Sequence, residues 1–331
     1  MIVDLFCGAG GASAGSALAG HDPSDTLGFE HDRHAAATHT AAGFPTIVGD
    51  LSSYDPTMMA GVDGLWGSPP CQAFSLAGKG AGRDAIGDLL AHIDLCAAGW
   101  VEPSGDLCAD DVRADLTLQP LRWADALRPR WVVLEQVPPV LPAWEHMARV
   151  LDGWGYSTWC GLLSAERWGV PQTRRRAILI ARNDGTPAAP PTPTHTAYDH
   201  RAPDGGRTPV ASLFDVDLLP WVSMADALGW ADVDAERRGV VQTGANTMRH
   251  QRDHADDKYQ RTMDAPAPGA ADTSTQGVRV SVEQAAALQS FPDDWPWQGP
   301  KTSRYRQIGN AVPPLLAAAI LRPLLHPQDT P

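Results

Sequence analysis

The chain has 331 residues, of which 43% are hydrophobic and 20% charged, a composition that predicts a globular protein with one large core and a smaller appended domain. No apolar run approaches the roughly 20 residues that span a bilayer, and the first residues carry no basic segment, so we expect neither a membrane span nor a signal peptide. The 5 cysteines form no Cys-x-x-Cys pair, so we expect no metal site and reduced thiols in the cytoplasm.

The net charge of −13 argues against nucleic-acid binding when it is considered alone, because phosphate binding usually requires a basic excess. The distribution of basic residues changes that interpretation. Lys79, Lys258 and Lys301 are the only lysines among 26 basic residues, and the arginines cluster at 174–176, 237–261 and 304–306. A coding bias explains the ratio of arginine to lysine but not the clustering. A local basic cleft on an acidic protein can still bind a nucleic-acid duplex.

The first 180 residues alternate short apolar runs with helical stretches, which predicts an α/β fold with a parallel sheet. Strands are predicted at 1–6, 27–30, 47–50, 64–67, 131–135 and 177–181. A glycine-rich turn follows the first strand and leads into a helix of small residues that ends at Ala19. Further helices are predicted at about 34–41, 86–98, 119–128 and 143–152.

The composition changes after about residue 183, where prolines, glycines and aspartates become frequent. We interpret 187–297 as a smaller, irregular second domain, and 1–186 together with 298–331 as the main domain. An apolar helix is predicted at Leu315–Leu325, directly after two prolines that suit a first helical turn. We expect this terminal helix to pack back on the main domain.

The first candidate site is the run Asp4–Gly11, in which a strand leads into glycines that let a ligand approach the backbone closely. Ser13 stands where a dinucleotide-binding fingerprint has glycine, which argues against a pyrophosphate site. Glu30 ends the second strand, where an acid can accept hydrogen bonds from ribose hydroxyls, and Asp50 ends the third, where it can accept one from an adenine amino group. A generic glycine turn with solvent-facing acids remains the alternative.

Two further motifs end neighbouring strands. Pro69-Pro70-Cys71-Gln72 follows the fourth strand, where a cysteine thiolate is positioned to act as a nucleophile. Glu135-Gln136-Val137 ends the fifth strand and places a carboxyl group on the same sheet edge, where it can donate a proton to a ring nitrogen. A buried inert cysteine and a structural glutamate are the alternatives.

A fourth motif, Gln172–Arg176, precedes the last predicted strand. Strand alternation sends Arg174 and Arg176 to one side and Arg175 to the other, which predicts a corner that binds an anion or a carbonyl group. The remaining motifs, Leu288–Pro292 and Gln307–Pro314, indicate no function by themselves.

In this order, the motifs resemble those of the bacterial and phage family of C5-cytosine-specific DNA methyltransferases. The family pattern is a DLFxGxGG loop, then PPCQ, ENV, QxRxR, a variable region, LQxFP and GNxV, and Gln136 is the one departure, since the family has asparagine there. The resemblance implies a doubly wound, mostly parallel Rossmann-like sheet that binds S-adenosyl-L-methionine, with a target-recognition domain across a DNA cleft. The residues that it implies for the cofactor are Phe6, Gly8, Ala9, Gly11, Glu30, Asp50, Leu51, Pro70, Leu89, Asn310 and Val312.

The resemblance also implies a mechanism. Cys71 would add to C6 of a flipped-out cytosine, Glu135 would protonate N3, and Arg176, with Arg174 nearby, would hold O2.

We expect the partner to be double-stranded DNA, the enzyme to be monomeric, and a companion restriction endonuclease to be possible. A glycine-rich stretch at 75–87 suits a lid over the DNA, with an ordinary flexible loop as the alternative. The residues expected to bind DNA are Gln72, Ser75, Lys79, Arg83, Gln172, Arg249 and Arg252.

Three alternatives stay open. A methyltransferase that acts on transfer RNA would share the catalytic residues, but its branch of the family carries a Cys-Phe-Thr element that this sequence lacks. A catalytically silent DNA-binding regulator on the same fold would be expected to lose Cys71 or Glu135, and both are present. A Rossmann-like oxidoreductase is disfavoured by the glycine spacing.

Overall fold

A computed structural model of the chain describes residues 1–70, 86–102, 115–199, 218–229, 262–263, 278–279 and 281–327. Its main sheet has strands β1 (Ile2–Leu5), β2 (Thr26–Glu30), β3 (Thr46–Val48), β4 (Gly64–Gly67), β5 (Trp131–Gln136), β6 (Ser157–Ser164) and β7 (Arg175–Arg182). A separate pair consists of β8 (Thr262–Met263) and β9 (Val278–Arg279). The helices are α1 (Gly11–Leu18), α2 (Arg33–Ala41), α3 (Ile86–Leu95), α4 (Gln119–Leu127), α5 (Leu141–Gly153), α6 (Met224–Ala227), α7 (Val282–Leu288), α8 (Lys301–Asn310) and α9 (Pro314–Leu325).

The main sheet has the order β3-β2-β1-β4-β5-β7-β6, which confirms the predicted α/β class. The strands from β3 to β5 are parallel, and β7 runs antiparallel to both of its neighbours. The chain moves outward from β1 to β3 and then returns to add β4 and β5 on the other side. The strand order therefore reverses between β1 and β4, and ligands of open α/β sheets bind at the carboxyl ends of strands at such a point.

Helices cover both faces of the sheet, as a doubly wound fold requires. Val3, Leu5 and Leu65 face one hydrophobic cluster, which is completed by α4 and α5. Trp66 and Val133 face the other, which contains most of the buried residues of α9. β1, β4 and β5 are buried along their whole length, because each has a neighbouring strand on both sides and helices on both faces.

The predicted packing of the terminal helix on the main domain is confirmed. α9 lies against α1, and two glycines of α1 permit the close approach. A Cβ on Gly11 would lie 2.2 Å from the carbonyl oxygen of Val312, and one on Gly15 would lie 2.5 Å from Cβ of Ala317. No single helix of the described residues is long and apolar enough to cross a membrane; α8 and α9 meet that test only together, as a pair bent by 42°.

Within 1–186 and 298–331, one strand and one α-helix were not predicted from the sequence. β6 is an edge strand whose residues are mostly half-buried, so it carries no apolar run. α8 is largely polar and buries Tyr305 and Ile308 on one side. Both residues pack in a cluster with Phe291 and α7, so the chain on either side of the expected boundary at 297–298 shares one core. The division into 1–186 with 298–331 and 187–297 stays a prediction.

Candidate active site

A cavity of about 830 Å³ lies at the carboxyl ends of the parallel strands. Its walls come from the glycine loop after β1, the ends of β2, β4 and β5, the turn after β3, and the junction between α8 and α9. The residues predicted for the cofactor that line this cavity are Phe6, Gly8, Ala9, Gly11, Glu30, Asp50, Leu51, Pro70, Asn310 and Val312. Leu89 does not line it, because its side chain is fully buried in the core beneath α3.

The glycine loop is held in an unusual backbone conformation. Phe6, Gly8 and Gly10 have φ values of 60°, 56° and 94°, in the left-handed region that favours glycine. The Gly8 N–H donates to Oε2 of Glu30 at 3.0 Å, and the Asp32 N–H donates to Oε1 of the same carboxylate at 2.7 Å. Backbone donors from two segments therefore fix Glu30 at the cavity wall.

Asp50 is held in a similar way. Its Oδ1 accepts hydrogen bonds from the backbone N–H of Ser52 at 3.0 Å and from the Ser52 hydroxyl at 2.8 Å. The carboxylate thereby caps the short turn Leu51–Ser53, and Leu51 is buried beneath it. The two acids at the ends of β2 and β3 are thus positioned by backbone groups rather than by cationic side chains, with His31 beside Glu30 at 3.1 Å as the one exception among the described residues.

The opposite wall carries a buried ion pair. Nε of Arg176 lies 2.6 Å from Oε1 of Glu135, and both side chains are almost fully buried while lining the cavity. The antiparallel register of β5 and β7 pairs Gln136 with Ala177, which brings the two charged residues side by side. A buried carboxylate and guanidinium must pair in this way, because an isolated charge in a protein interior is very costly.

Gln136 connects the end of β5 to the segment that precedes Cys71. Its Nε2 donates to the Pro69 carbonyl at 2.6 Å, and its Oε1 accepts from the Val137 N–H at 2.6 Å. The longer side chain of glutamine therefore makes amide contacts with both segments. Ser68 is fixed as well, since its hydroxyl accepts from the Trp66 indole at 2.8 Å.

The chain matches known proteins over nearly its whole length. The model of the family described as C-5 cytosine-specific DNA methylase matches residues 1–94, 104–218 and 221–326. The chain belongs to this family. It is therefore a DNA cytosine-5 methyltransferase, and the oxidoreductase alternative is wrong.

Curated relatives agree with this assignment. The chain is 32% identical to the type II methyltransferase M.NaeI of Lentzea aerocolonigenes over 345 residues, which cover 96% of this chain and 73% of that protein. It is 28% identical to the type II methyltransferase M1.HphI of Haemophilus parahaemolyticus over 356 residues, which cover 98% and 86%. These relatives favour DNA over transfer RNA as the substrate class.

Solved structures share the fold. The S. pombe Dnmt2 methyltransferase superposes with a TM-score of 0.63 at 17% identity and covers 99% of both chains. The Entamoeba histolytica methyltransferase EhMeth also gives 0.63, at 13% identity, and covers 99% of this chain and 98% of its own. At these identities the likeness shows the fold alone.

Two residues predicted for this methyltransferase's site lie elsewhere. Arg174 is buried, and its Nη2 donates to the carbonyls of Gly309 and Ala311 at 3.0 and 2.9 Å. Arg174 lies just before β7, and its side chain extends to the junction between α8 and α9. It stabilises that junction and does not line the cavity. Gln172 is fully buried, and its Nε2 donates to the Leu288 carbonyl at 2.9 Å and to Gln289 at 2.7 Å, so it is not exposed for DNA.

These contacts join three motifs that lie far apart in the sequence. Gln289 itself donates to the carbonyl of Ala311 at 2.5 Å. The motifs that begin at Gln172, Leu288 and Gly309 are therefore connected by buried hydrogen bonds. Their joint role is to fix the cavity wall that carries Asn310 and Val312.

Several predicted residues fall outside the described part of the chain. These are the nucleophile Cys71 and the predicted DNA contacts Gln72, Ser75, Lys79, Arg83, Arg249 and Arg252. The described segment 1–70 ends at Pro70, which lines the cavity, and Cys71 is the next residue in the sequence.

One group on the cavity wall was missed by the sequence reasoning. Asp4 lies in the middle of β1, is fully buried and lines the cavity. The signal was present, since a carboxyl group inside a buried strand requires a polar partner or a ligand.

Among the described residues, no group of three or more His, Cys, Asp or Glu side chains could hold a metal ion.

Proposed function

We propose that this methyltransferase transfers the methyl group of S-adenosyl-L-methionine to C5 of a flipped-out cytosine in a specific duplex DNA sequence, through a covalent adduct between Cys71 and C6. The observation that carries the proposal is the buried pair of Glu135 and Arg176 on the wall of one cavity with Pro70, the residue before Cys71. The acid, the base-binding cation and the nucleophile thus belong to three adjacent segments.

The cavity suits S-adenosyl-L-methionine in size and in chemistry. Its volume of about 830 Å³ lies within the range of small-molecule sites. Glu30 and Asp50 offer carboxylate acceptors for ribose hydroxyls and for an adenine amino group, and Phe6, Leu51 and Val312 offer apolar contacts. Asp4 also lines the cavity, and its Oδ1 is buried without a hydrogen-bond partner among the described residues. An acidic lining accepts a cation and disfavours a pyrophosphate.

When it is bound, S-adenosyl-L-methionine supplies an electrophilic methyl group on a cationic sulfur. Cys71 would act on the base rather than on the donor. Its thiolate adds to C6, which breaks the aromaticity of the ring and makes C5 nucleophilic. Once C5 carries the methyl group, a base or a water molecule takes the C5 proton, and the electrons of that bond expel Cys71 from C6 as the thiolate.

Glu135 would hold the proton that N3 of the cytosine takes up as the thiolate adds. Its contact with Arg176 Nε fixes the orientation of the carboxyl group at the cavity wall. Arg176 would also hold O2 of the base, because a guanidinium group has several donors in one plane. Arg174 and Gln172 would act at a distance, by holding the wall that carries Asn310.

The target carbon is inaccessible within a base pair, so the nucleotide must leave the helix, at a cost of a few kcal/mol. We propose that Gln72, Ser75, Lys79 and Arg83, with Arg249 and Arg252 from 187–297, bind the DNA around the flipped base. We also propose that the enzyme is monomeric and cytoplasmic. A companion restriction endonuclease fits the names of the type II relatives.

A trapping experiment tests the proposal. A duplex with 5-fluorocytosine at the target position blocks the final elimination, so the wild-type enzyme and S-adenosyl-L-methionine should give an adduct that survives denaturing electrophoresis. Cys71→Ser should give no adduct. Cys160→Ser, which alters a half-buried thiol of β6 that does not line the cavity, should trap as the wild type does. An adduct in Cys71→Ser would refute the assigned role. A transfer RNA substrate in parallel tests the RNA alternative.

A further inference from the structure

A chain of buried hydrogen bonds leads from the cavity wall into the interior. Oδ2 of Asp4 lies 2.7 Å from Oγ of Ser13, and this oxygen lies 2.8 Å from Nε2 of His39. Nδ1 of His39 lies 2.7 Å from Oγ1 of Thr46, which in turn lies 3.0 Å from the Phe44 carbonyl oxygen. Asp4, Ser13 and His39 are buried, and Thr46 at the far end is half-buried.

The hydrogen atoms available for this chain can be counted. Each of its four hydrogen bonds requires one hydrogen, and the Phe44 carbonyl can only accept. Ser13, Thr46 and a neutral imidazole supply three. The fourth must be an additional proton, held either on the Asp4 carboxyl group or on the His39 ring. With that proton the chain is complete, and without it one buried hydrogen bond is lost.

The surroundings favour Asp4 as the place of this proton. Burial raises the pKa of the Asp4 carboxyl group to about 7, and burial lowers the pKa of His39 to about 4. The other titratable groups that face Asp4 are Glu30 and the Cys7 thiol. Hydrogen bonding to Ser13 lowers the pKa of Asp4 and the charge of Glu30 raises it, but burial is the largest cause. Burial also raises the pKa of Cys7 well above its ordinary value, so that this thiol stays neutral.

The other carboxyl oxygen of Asp4 points to a ligand. Oδ1 has no hydrogen-bond partner among the described residues, although Asp4 lines the cavity and is 1% exposed. A buried oxygen without a partner is costly in a protein interior. A positively charged group bound in the cavity would satisfy Oδ1 and would favour the ionised carboxylate over the protonated acid.

We propose that the chain Asp4–Ser13–His39–Thr46 stores one proton in the ligand-free enzyme and releases it to solvent when a cationic methyl donor binds beside Asp4. This inference rests on the proposed function, because the cation belongs to S-adenosyl-L-methionine. The O–H bond of Asp4 breaks, the proton passes to the buffer, and the donor's charge balances the carboxylate. The direction of the chain then reverses: Nε2–H of His39 donates to Ser13, Ser13 donates to Asp4, and Thr46 donates to Nδ1. Only the bond to the Phe44 carbonyl loses its hydrogen.

Calorimetry of S-adenosyl-L-methionine binding measures the released proton directly. Titrations at pH 6.5 in buffers of different ionisation enthalpy should show release of a large fraction of one proton. The affinity should rise about tenfold per pH unit between pH 5.5 and 6.5 and level off above about pH 7.5, since Asp4 is protonated below its pKa and ionised above it. S-adenosyl-L-homocysteine keeps the ammonium group but lacks the sulfonium charge, so a release that persists with it identifies the ammonium group as the cation.

Four variants separate the chain from other titrating groups. Asp4→Asn should bind more weakly, release no proton and show no dependence on pH. Thr46→Val removes two bonds and one hydrogen, so the remaining bonds are complete without an extra proton. Its release should fall by at least half, and its affinity at pH 6 should approach the value at pH 8. Thr46→Ser restores the hydroxyl and the wild-type behaviour. His31→Asn alters a histidine that lines the cavity outside the hydrogen-bond chain, whose pKa is raised by its hydrogen bond to Glu30, and should keep most of the release.

The outcomes are distinct. Binding without proton release, or equal release in Thr46→Val and Thr46→Ser, overturns this inference and leaves the proposed function intact. An absence of binding at every pH overturns both. If Asp4→Asn is not folded in a thermal scan, the two Thr46 variants decide alone, because that half-buried position tolerates valine in a strand.

Discussion

The two walls of the cavity hold their acids by different means. On the side of β1 to β3, Glu30 and Asp50 accept hydrogen bonds from backbone N–H groups, and no arginine or lysine of the described residues pairs with them. On the side of β5 and β7, Glu135 is paired with Arg176. The first arrangement leaves negative charge to be matched by a ligand, which suits a cationic donor. The second is already matched, and it suits the handling of one proton and one carbonyl group on a base.

The largest expected effect comes from the wall with the ion pair. Glu135→Gln keeps the shape of the side chain but cannot give a proton to N3, so kcat should fall about 100- to 10,000-fold. Binding of S-adenosyl-L-methionine should change by less than about threefold, since we propose that Glu135 acts on the base and not on the donor. Single-turnover methyl transfer and calorimetry together measure both quantities. A loss of donor affinity with unchanged turnover would reverse the roles of the two walls.

Glu30→Gln should give the opposite pattern and serves as the matched control. Loss of the charge weakens the hydrogen bonds to ribose, so the Kd for S-adenosyl-L-methionine should rise about 10- to 100-fold. The single-turnover rate at saturating donor should stay near the wild-type value, because we propose that Glu30 contacts the donor and not the base. A fall in that rate without a change in Kd would contradict the distinction between the walls.

Variants of Gln136 test whether its hydrogen bond to Pro69 positions the segment that leads to Cys71. Gln136→Leu leaves the Pro69 carbonyl and the Val137 N–H without their partner, which should lower the free energy of unfolding by about 1–3 kcal/mol. Displacement of the segment before Cys71 should slow adduct formation with 5-fluorocytosine by about tenfold. Gln136→Asn should fall between this variant and the wild type. Wild-type trapping rates in Gln136→Leu would show that the contact to Pro69 is dispensable.

The smallest effect on DNA binding is expected from Gln172. Gln172→Leu removes two buried hydrogen bonds and should lower the free energy of unfolding by about 1–3 kcal/mol. The salt dependence of DNA binding should not change, whereas Arg249→Ala and Arg252→Ala should each reduce its slope by about one. Filter binding at several salt concentrations measures these slopes. A shallower slope in Gln172→Leu would return this residue to the DNA interface.

The sequence predicted the strands of the sheet well where burial on both faces requires a continuous apolar run. β1, β4 and β5 are short apolar runs because both of their faces are covered, and glycines or acids mark their carboxyl ends. The cavity lining contains ten of the eleven residues named for the cofactor, but most of these came from the resemblance and not from a burial pattern. Leu89 also came from the resemblance and lies in the core instead, and nothing in its own surroundings in the sequence indicated a ligand.

The remainder depended on tertiary contacts that no local pattern contains. Strand alternation correctly placed Arg174 and Arg176 on one side, and both are buried while Arg175 is exposed. It could not tell that Arg174 would meet the carbonyls of Gly309 and Ala311, which lie about 135 residues further along the chain. The hydrogen-bond chain from Asp4 to Thr46 could not be predicted for the same reason. Ser13 and His39 lie in two different helices, and no local sequence pattern indicates that their side chains meet.

The most direct test of the account is the position of methyl groups in DNA from cells that express the chain. Bisulfite sequencing should show 5-methylcytosine at one position of a short, recurring sequence with the wild-type enzyme, and none with Cys71→Ser or Glu135→Gln at equal expression. Methylation that persists in Cys71→Ser, or wild-type activity confined to transfer RNA, would contradict the account.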